Sequence, residues 1–472
     1  MNVDIWWRWW AFAAIAHVLG APTGDGWSGR GLANVVVGWV AIAVVARPDL
    51  RVGRVALAAA IVVSAFVEAP LLGNHWWLAA VVSLAALAAR PWTDDDGFAG
   101  RFAPTARVLL LVFYSFAAVA KLNTGFLDPV ESCARFFANQ ALDFWRLPLI
   151  PGDGAMAPVL PYPVLLIELA VPVLLVVPRT RRFGVWLAIA FHLVLTLDLR
   201  QHFYDFTLVL VPLFSLFAPP SLLASIDRSL PRLDLGRGRP WMALVAIQVA
   251  AFHLPVFGPA ESGARTVAIR VAWVMWLVLL VSIALGMVLA WRSGADRSVR
   301  AAGDHDVDAT DPSPHPVRLR PAGVAGVALV LLALFNGLAP YLEVKTATGF
   351  NMYANLVTAD GETNHLVIRR TAGLRDAQGA TVEIIEADDD GLAAYASSGF
   401  ALPVANLRDY LADHPGVSVT YRLGGEVVRH RPDAPGPLTP EPLGWFEERL
   451  VLFRAVPLAD PPACQNVWLP AR

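Results

Sequence analysis

Apolar runs bounded by charge or by proline and glycine recur at about 6–20, 31–46, 54–72, 76–90, 106–122, 162–178, 183–199, 205–218, 240–257, 267–291 and 322–339. Runs of this length read as helices, and their near-freedom from charge reads as membrane-spanning. Several fall short of the roughly 20 residues that a straight span needs, so their ends are soft by several residues. Eleven spans is the best count. Beyond Pro340 the hydrophobic density drops and alternating segments take over: His365–Arg370, Thr381–Ala387, then 417–423 and 426–431 joined at Gly424-Gly425 as a hairpin. Helix-like stretches at 405–413 and 441–454 complete a small mixed domain.

The pattern predicts an all-α polytopic membrane domain of about ten to eleven transmembrane helices, followed by a small α+β extracytoplasmic domain. Residues 1–291 form the helical membrane domain and 292–321 a flexible cytoplasmic linker rich in Asp, Pro, Ser and Arg. Residues 322–339 are the last transmembrane helix and 340–472 the outer domain. Composition agrees: 56% of residues are hydrophobic, 16% are charged and mean hydropathy is +0.52. A water-soluble domain of this length could not bury so much apolar surface. The lipid bilayer is therefore the first partner. A formal net charge of −2 without a basic tract sets nucleic acid aside. Trp6, Trp7, Trp9 and Trp10 stand where a signal peptide would carry a basic region, and read as an interfacial anchor entering the first span.

Orientation follows from the arginines. With the N-terminus in the cytoplasm, the inner segments hold about nineteen, against about five outside: Arg30, Arg135, Arg146, Arg200 and Arg265. An odd number of spans then puts the C-terminal domain outside the cell membrane. Cys133 and Cys464, the two cysteines, both fall on that oxidising side, where a disulfide can pin the outer domain to the membrane body. Two cysteines exclude a thiolate metal site needing three or four ligands.

Ionisable residues within spans are costly and therefore mark candidate chemistry. Glu68 lies near the outer end of the third run, followed by Asn74 and His75 in a short turn. Lys121 closes the fifth run on the same side. Glu168 and His192 lie about two turns inside the outer ends of the sixth and seventh runs, and His17, His202 and His253 also fall toward outer ends. An interfacial histidine or lysine often only caps a helix or reaches for the headgroups. Lys121 differs, because of 37 Lys and Arg residues only Lys121 and Lys345 are lysine, the bias of a GC-rich genome. Arginine would serve as a cap; what it cannot do is give up its proton, whereas a desolvated amine can act as a base. His75, His192, His202 and Glu168 have the donor types of a metal site but not a diagnostic helical spacing, and no metal is expected.

The ordered set Glu68-Ala-Pro-Leu-Leu-Gly-Asn74-His75-Trp-Trp-Leu, Ala117-Ala-Val-Ala-Lys121-Leu122-Asn123, Arg179-Thr-Arg-Arg-Phe, Phe191-His192 and Phe203-Tyr-Asp-Phe-Thr-Leu, running to Pro219-Pro220, resembles the HTTM membrane domain of vitamin K-dependent γ-glutamyl carboxylase and its bacterial relatives. The resemblance covers roughly residues 5–290. The stretch Asn336-Gly-Leu-Ala-Pro-Tyr341-Leu-Glu-Val-Lys345-Thr, with Asn364-His365-Leu, resembles the extramembrane part of bacterial members. It implies that Lys121 deprotonates a reduced naphthoquinone of the menaquinone or vitamin K type, with His75 of the Asn74-His75 pair assisting the oxygenated intermediate or carboxylation. O2, and CO2 if a lyase-type carboxylation follows, are then co-substrates. The chain departs from the carboxylase at Ala120, where that enzyme has a second lysine, and in its much shorter outer region.

Three functions are compatible with these residues. One is a quinol epoxidase, with or without carboxylation, using Lys121, His75 and Asn74, with Glu68, Glu168 and His192 completing a polar pocket. The second is a non-catalytic scaffold or receptor that displays its C-terminal domain to a cell-envelope protein. The third is a transporter, disfavoured by the lack of an inverted repeat.

Overall fold

The computed structural model describes residues 1–20, 29–69, 72–201, 203–219, 221–230, 239–253, 263–303, 317–374, 380–434, 436–451 and 453–464. His202 and the Asp311–Pro316 part of the predicted linker lie outside the described residues, as does the side chain of His253. The helices run in the order α1 (Val3–Gly20), α2 (Gly29–Ala46), α3 (Arg51–Glu68), α4 (Asn74–Ala88), α5 (Asp95–Val119), α6 (Thr124–Leu127), α7 (Cys133–Phe144), α8 (Pro161–Val176), α9 (Arg181–Leu195), α10 (Phe203–Ser215), α11 (Ser221–Ser229), α12 (Arg239–His253), α13 (Gly263–Gly303) and α14 (Gly323–Leu338). Every one of the eleven apolar runs is a helix. Among the described residues, two of them, α5 and the Ile269–Arg292 stretch of α13, are long and apolar enough to cross a membrane. Others, among them α4, α8, α10 and α14, are apolar but shorter. Helix α13 continues to Gly303, so the start of the predicted linker is helical; alanine and arginine in that stretch favour it.

The chain divides into two compact units. The first comprises Met1–Glu68, His75–Leu111 and Ala170–Leu331. Within it α1 is buried along most of its length and packs against α2, α10 and α12, the position a predominantly apolar helix requires. Its four tryptophans correct the expectation of an interfacial anchor: all are at most 1% exposed. Trp6 stacks on Trp10 at 5.1 Å, meets Phe102 edge-on at 4.6 Å and donates its indole N–H to Pro212 O. Trp10 donates to Ser83 Oγ. These rings fill the interior because α1 is enclosed by other helices.

At the start of α1, α3 and α5 the chain builds a charge network. Arg54, 2% exposed, pairs with Asp4 of α1 and with Asp95 of α5, the latter at 2.7 Å, and donates to Pro48 O. The N-terminal ends of these three odd-numbered helices therefore share one end of this unit. Arg8 pairs with Asp227 of α11 at 2.8 Å. Helices α11 and α13 approach closely at Gly286, where a Cβ would lie 2.4 Å from Ile226 Cα.

The second unit comprises Ala69–Asn74, Val112–Leu169 and Leu332–Arg472. Cys133, the first residue of α7, is joined to Cys464 by a disulfide, and Phe126, Leu165 and Tyr353 pack around it. Between Glu343 and Asn355 the backbone turns repeatedly through left-handed conformations at Glu343, Thr348, Phe350, Tyr353 and Asn355, with φ from 47° to 59°. Such residues persist only where their surroundings over-determine them. Here side chains supply that: Asn336 donates to Thr348 O, while Asn355 accepts from the Cys133 amide and donates to Glu131 O and Pro462 O.

The chain then forms β1 (Thr358–Ala359), β2 (Glu362–Thr363), β3 (Thr381–Ala387), α15 (Asp390–Ser398), β4 (Phe400–Pro403), α16 (Val404–Asp413), β5 (Val419–Leu423), β6 (Glu426–His430), α17 (Trp445–Leu450) and β7 (Val456–Pro457). A five-stranded antiparallel sheet has the order β6-β5-β3-β4-β7. Val382 and Ile384 of β3, Leu402 of β4 and Val419 and Tyr421 of β5 bury against Leu392 and Tyr395 of α15 and Leu407 and Leu411 of α16. The expected hairpin closes at Gly424 and Gly425, whose φ of 58° and 88° suit the tight turn that favours glycine. His365–Arg370 forms isolated bridges rather than a strand, because His365 Nδ1 accepts the Val367 and Ile368 amides and turns the chain. Helix α17 is shorter than expected, since Pro442 and Gly444 delay its start.

Protein purified without reductant should show no titratable thiol, and Cys464→Ser should lower stability by about 2–5 kcal/mol in chemical denaturation. Gly286→Val should cost about 2 kcal/mol or more by the same measurement, because the clash is with backbone and neither helix can yield by a rotamer change.

Candidate functional site

In the first unit, four ionisable side chains from four helices form a continuous buried chain. Glu68 closes α3 and its Oε2 lies 3.0 Å from His17 Nε2, near the end of α1. The other nitrogen of that ring, Nδ1, faces Oδ2 of Asp205, in the first turn of α10, at 3.6 Å. The same Oδ2 lies 2.9 Å from Nε2 of His75, at the start of α4. All four residues are at most 9% exposed.

Neutral groups fix the chain in place. Ser64, one turn before Glu68, donates to Glu68 Oε1, and Trp76 donates its indole N–H to Ser64 Oγ at 3.2 Å. Trp76 also stacks on the His17 ring, with centroids 3.7 Å apart and planes 11° from parallel. Asp205 Oδ1 accepts the Phe206 amide. The Phe206 ring lies against both His75, at 5.4 Å, and His192, at 4.9 Å. Each carboxylate thus has one oxygen held by a local donor and the other turned to imidazole. Charge in an apolar interior survives only when paired and hydrogen-bonded in this manner.

The second unit holds a different cluster, built on the C-terminal end of α5. Lys121 Nζ pairs with Glu168 Oε2 of α8 at 2.7 Å and donates to Ala117 O at 3.1 Å and Met352 O at 3.3 Å. The last carbonyls of a helix lack partners within it. Those of α5 are taken by side chains: Lys121 bonds Ala117 O, His365 Nε2 bonds Val119 O at 3.0 Å, and Asn123 Nδ2 bonds Ala120 O at 2.7 Å. Asn123 also donates to Ala354 O, and its Oδ1 caps α6 by accepting the Phe126 amide. Burial holds the His365 imidazole below its ordinary range. With Nδ1 accepting two amides, its one proton resides on Nε2.

The sequence-predicted residues therefore separate by contact. Glu68 and His75 meet through His17 and Asp205, while His192 approaches that group through Phe206. Lys121 and Glu168 pair with each other. Asn74 accepts the Phe350 amide with its side chain. Sequence reading passed over Asp205, because an acid opening an apolar helix reads as an ordinary partner of the helix dipole. The place of His17 in the last turn of α1 does not distinguish it from an interfacial histidine, yet its ring is buried. Asn123 was legible only as part of a motif.

Lys345 follows α14 and is 7% exposed, donating to Thr348 Oγ1 at 3.2 Å. Burial pushes its ammonium down to about 8 from the ordinary 10.5. Between those values the unfolded chain holds a proton that the folded chain has lost, so this residue makes stability rise with pH across that window. Lys345→Met should remove that rise, worth up to about 3 kcal/mol, when urea-unfolding free energies at pH 7.5 and 10 are compared with wild type.

Compared with known proteins, the chain matches no family model, no curated protein and no solved structure.

Proposed function

We propose that this chain is an integral membrane enzyme of the HTTM type in which Lys121, coupled to Glu168, removes a phenolic proton from a reduced naphthoquinone and exposes the quinol anion to O2. The observation that carries the reading is the buried Lys121–Glu168 contact of 2.7 Å. A single proton moving from Nζ to the carboxylate turns the ion pair into a neutral amine and a neutral acid without changing the net charge of an apolar site. The amine then takes the quinol proton, and the ammonium formed is received by Ala117 O and Met352 O, which already accept from it. The quinolate left behind is electron-rich and adds O2 toward an epoxide; CO2 enters only if a carboxylation is coupled to that step. Asn74 and His75, which the resemblance would place beside the base, are taken up by Phe350 and Asp205, so the proposal rests on Lys121 and Glu168 alone.

The membrane reading is part of the proposal. It is supported by eleven apolar helices in place of eleven apolar runs, and by exposed apolar side chains such as Leu166, Val173, Val281, Val324 and Leu331 on α8, α13 and α14. The arginine bias puts the N-terminus in the cytoplasm and the region after Pro340 outside, where a Cys133–Cys464 disulfide is chemically at home.

One observation favours a non-catalytic scaffold instead. The Lys121 ammonium has three acceptors, one of them Met352 O, as a structural tether of the segment after Pro340 would. The two readings separate in one experiment: reduced menaquinone and O2 with purified protein, epoxide followed by mass spectrometry. Catalysis predicts at least about 100-fold loss in Lys121→Ala and Lys121→Arg, a smaller loss in Glu168→Gln, and a thermally stable Lys121→Arg protein. The enzyme reading fails if wild type and Lys121→Ala yield the same trace of epoxide.

A further inference from the structure

The chain Glu68–His17–Asp205–His75 has a charge problem of its own. Two carboxylates and two neutral imidazoles carry two negative charges inside the first unit, and neutrality requires two further protons or one divalent cation. The geometry offers the cation a place. With the His17 Nε2 proton directed at Glu68 Oε2, the Nδ1 lone pair points at a carboxylate oxygen 3.6 Å away. That separation is too long for a hydrogen bond, and His17 Nδ1 has no hydrogen-bond partner among the described residues. A lone pair facing an anionic oxygen across a gap, deep in the protein, is stabilised by a cation between them.

The two separations from Asp205 Oδ2 are close to what such an ion needs. First-row divalent metals bind imidazole and carboxylate at about 2.0–2.2 Å, so two ligands of one ion stand about 3.0–3.5 Å apart. Asp205 Oδ2 is 2.9 Å from His75 Nε2 and 3.6 Å from His17 Nδ1. His17, His75 and Asp205 each offer one ligand atom, and the three lie within 4.8 Å of one another. With its proton on Nδ1, His75 offers the Nε2 lone pair that faces Asp205 Oδ2 to the ion.

What surrounds His17 and Asp205 matches how proteins build such sites. A ligating histidine commonly donates its second N–H to a carboxylate that orients it and raises its basicity. Glu68 holds that position on His17, and is itself held by Ser64, which Trp76 holds in turn. Asp205 Oδ1 is occupied by the Phe206 amide, which leaves Oδ2 for the ion.

We propose that His17 Nδ1, His75 Nε2 and Asp205 Oδ2 bind one divalent first-row transition-metal ion, with Glu68 orienting His17 from outside the coordination sphere. Two imidazoles and one carboxylate leave coordination positions open, the donor set that suits Fe(II) or Zn(II). The ion and two protons are alternatives at this site, so binding weakens as pH falls. The inference does not rest on the reading of Lys121 and is tested without any assay of quinol chemistry.

The test uses the full-length chain in detergent, without a polyhistidine tag, stripped with a chelator and then titrated with Co(II). Visible absorbance reports the ion's environment, and elemental analysis after Zn(II) loading reports the stoichiometry. One ion per chain is expected. His17→Ala and Asp205→Asn should weaken binding at least about 100-fold, Glu68→Gln by about 10–100-fold with the stoichiometry kept, and His192→Ala should bind as wild type. Folding of each variant is followed by circular dichroism. The proposal is overturned if folded wild-type protein takes up no stoichiometric ion, whatever the variants do. It is equally overturned if folded His17→Ala and Asp205→Asn bind as wild type, since the ion would then sit elsewhere.

Discussion

An apolar interior tolerates a charge only beside its counter-charge, a constraint that Arg54 and Lys121 obey and on which the packing of their helices depends. Removing one partner from such a pair leaves an uncompensated charge and costs about 3–5 kcal/mol, whereas surface pairs contribute little. Arg54 is the simplest case: a guanidinium with five donors, shared between Asp4, Asp95 and Pro48 O. Because those partners open α1 and α5, the pairing also sets which ends of three helices lie together. Lys121 follows the same rule with Glu168 and two carbonyls. The helices could slide along one another if only apolar contact held them; the charges give them register.

The two clusters balance charge in different ways, and the difference bears on chemistry. Lys121 and Glu168 carry one positive and one negative group, so an internal proton shift neutralises both at once. That suits a group asked to alternate between acid and base. The four-residue chain carries two acids and two imidazoles, and its balance depends on something supplied from outside, protons or a cation. An aromatic setting of Trp76, Phe206 and the rings beside His192 keeps the surroundings of that chain apolar and so sharpens the demand.

The segment after Pro340 illustrates a second use of polar side chains. A stretch with five non-glycine residues in left-handed conformation cannot hold itself by regular backbone pairing. Its amides and carbonyls are met by Asn74, Lys121, Asn123 and Asn336, while its own Asn355 accepts the Cys133 amide. Asparagine is suited to this, carrying both donor and acceptor in a short, neutral side chain. The Cys133–Cys464 bond then closes the unit across 331 residues of sequence.

The sequence by itself determined the elements. Eleven apolar runs became eleven helices, the Gly424-Gly425 hairpin and strand Thr381–Ala387 appeared where alternation put them, and the bond between the two cysteines was their only intramolecular option. These features are local: period, turn chemistry and a count of thiols need no knowledge of neighbours. Partnership was decided by the tertiary structure. Glu68 and Glu168 read alike as acids near helix ends, yet one meets a histidine and the other a lysine. Trp6 and Trp10 read as headgroup anchors and are interior rings, because what surrounds a helix is set by the other helices. Asp205 is unremarked in its own segment and central once α1, α3, α4 and α10 bring their ends together. A side chain's type is written in the chain, but its protonation, pairing and chemistry depend on distances between residues far apart in it.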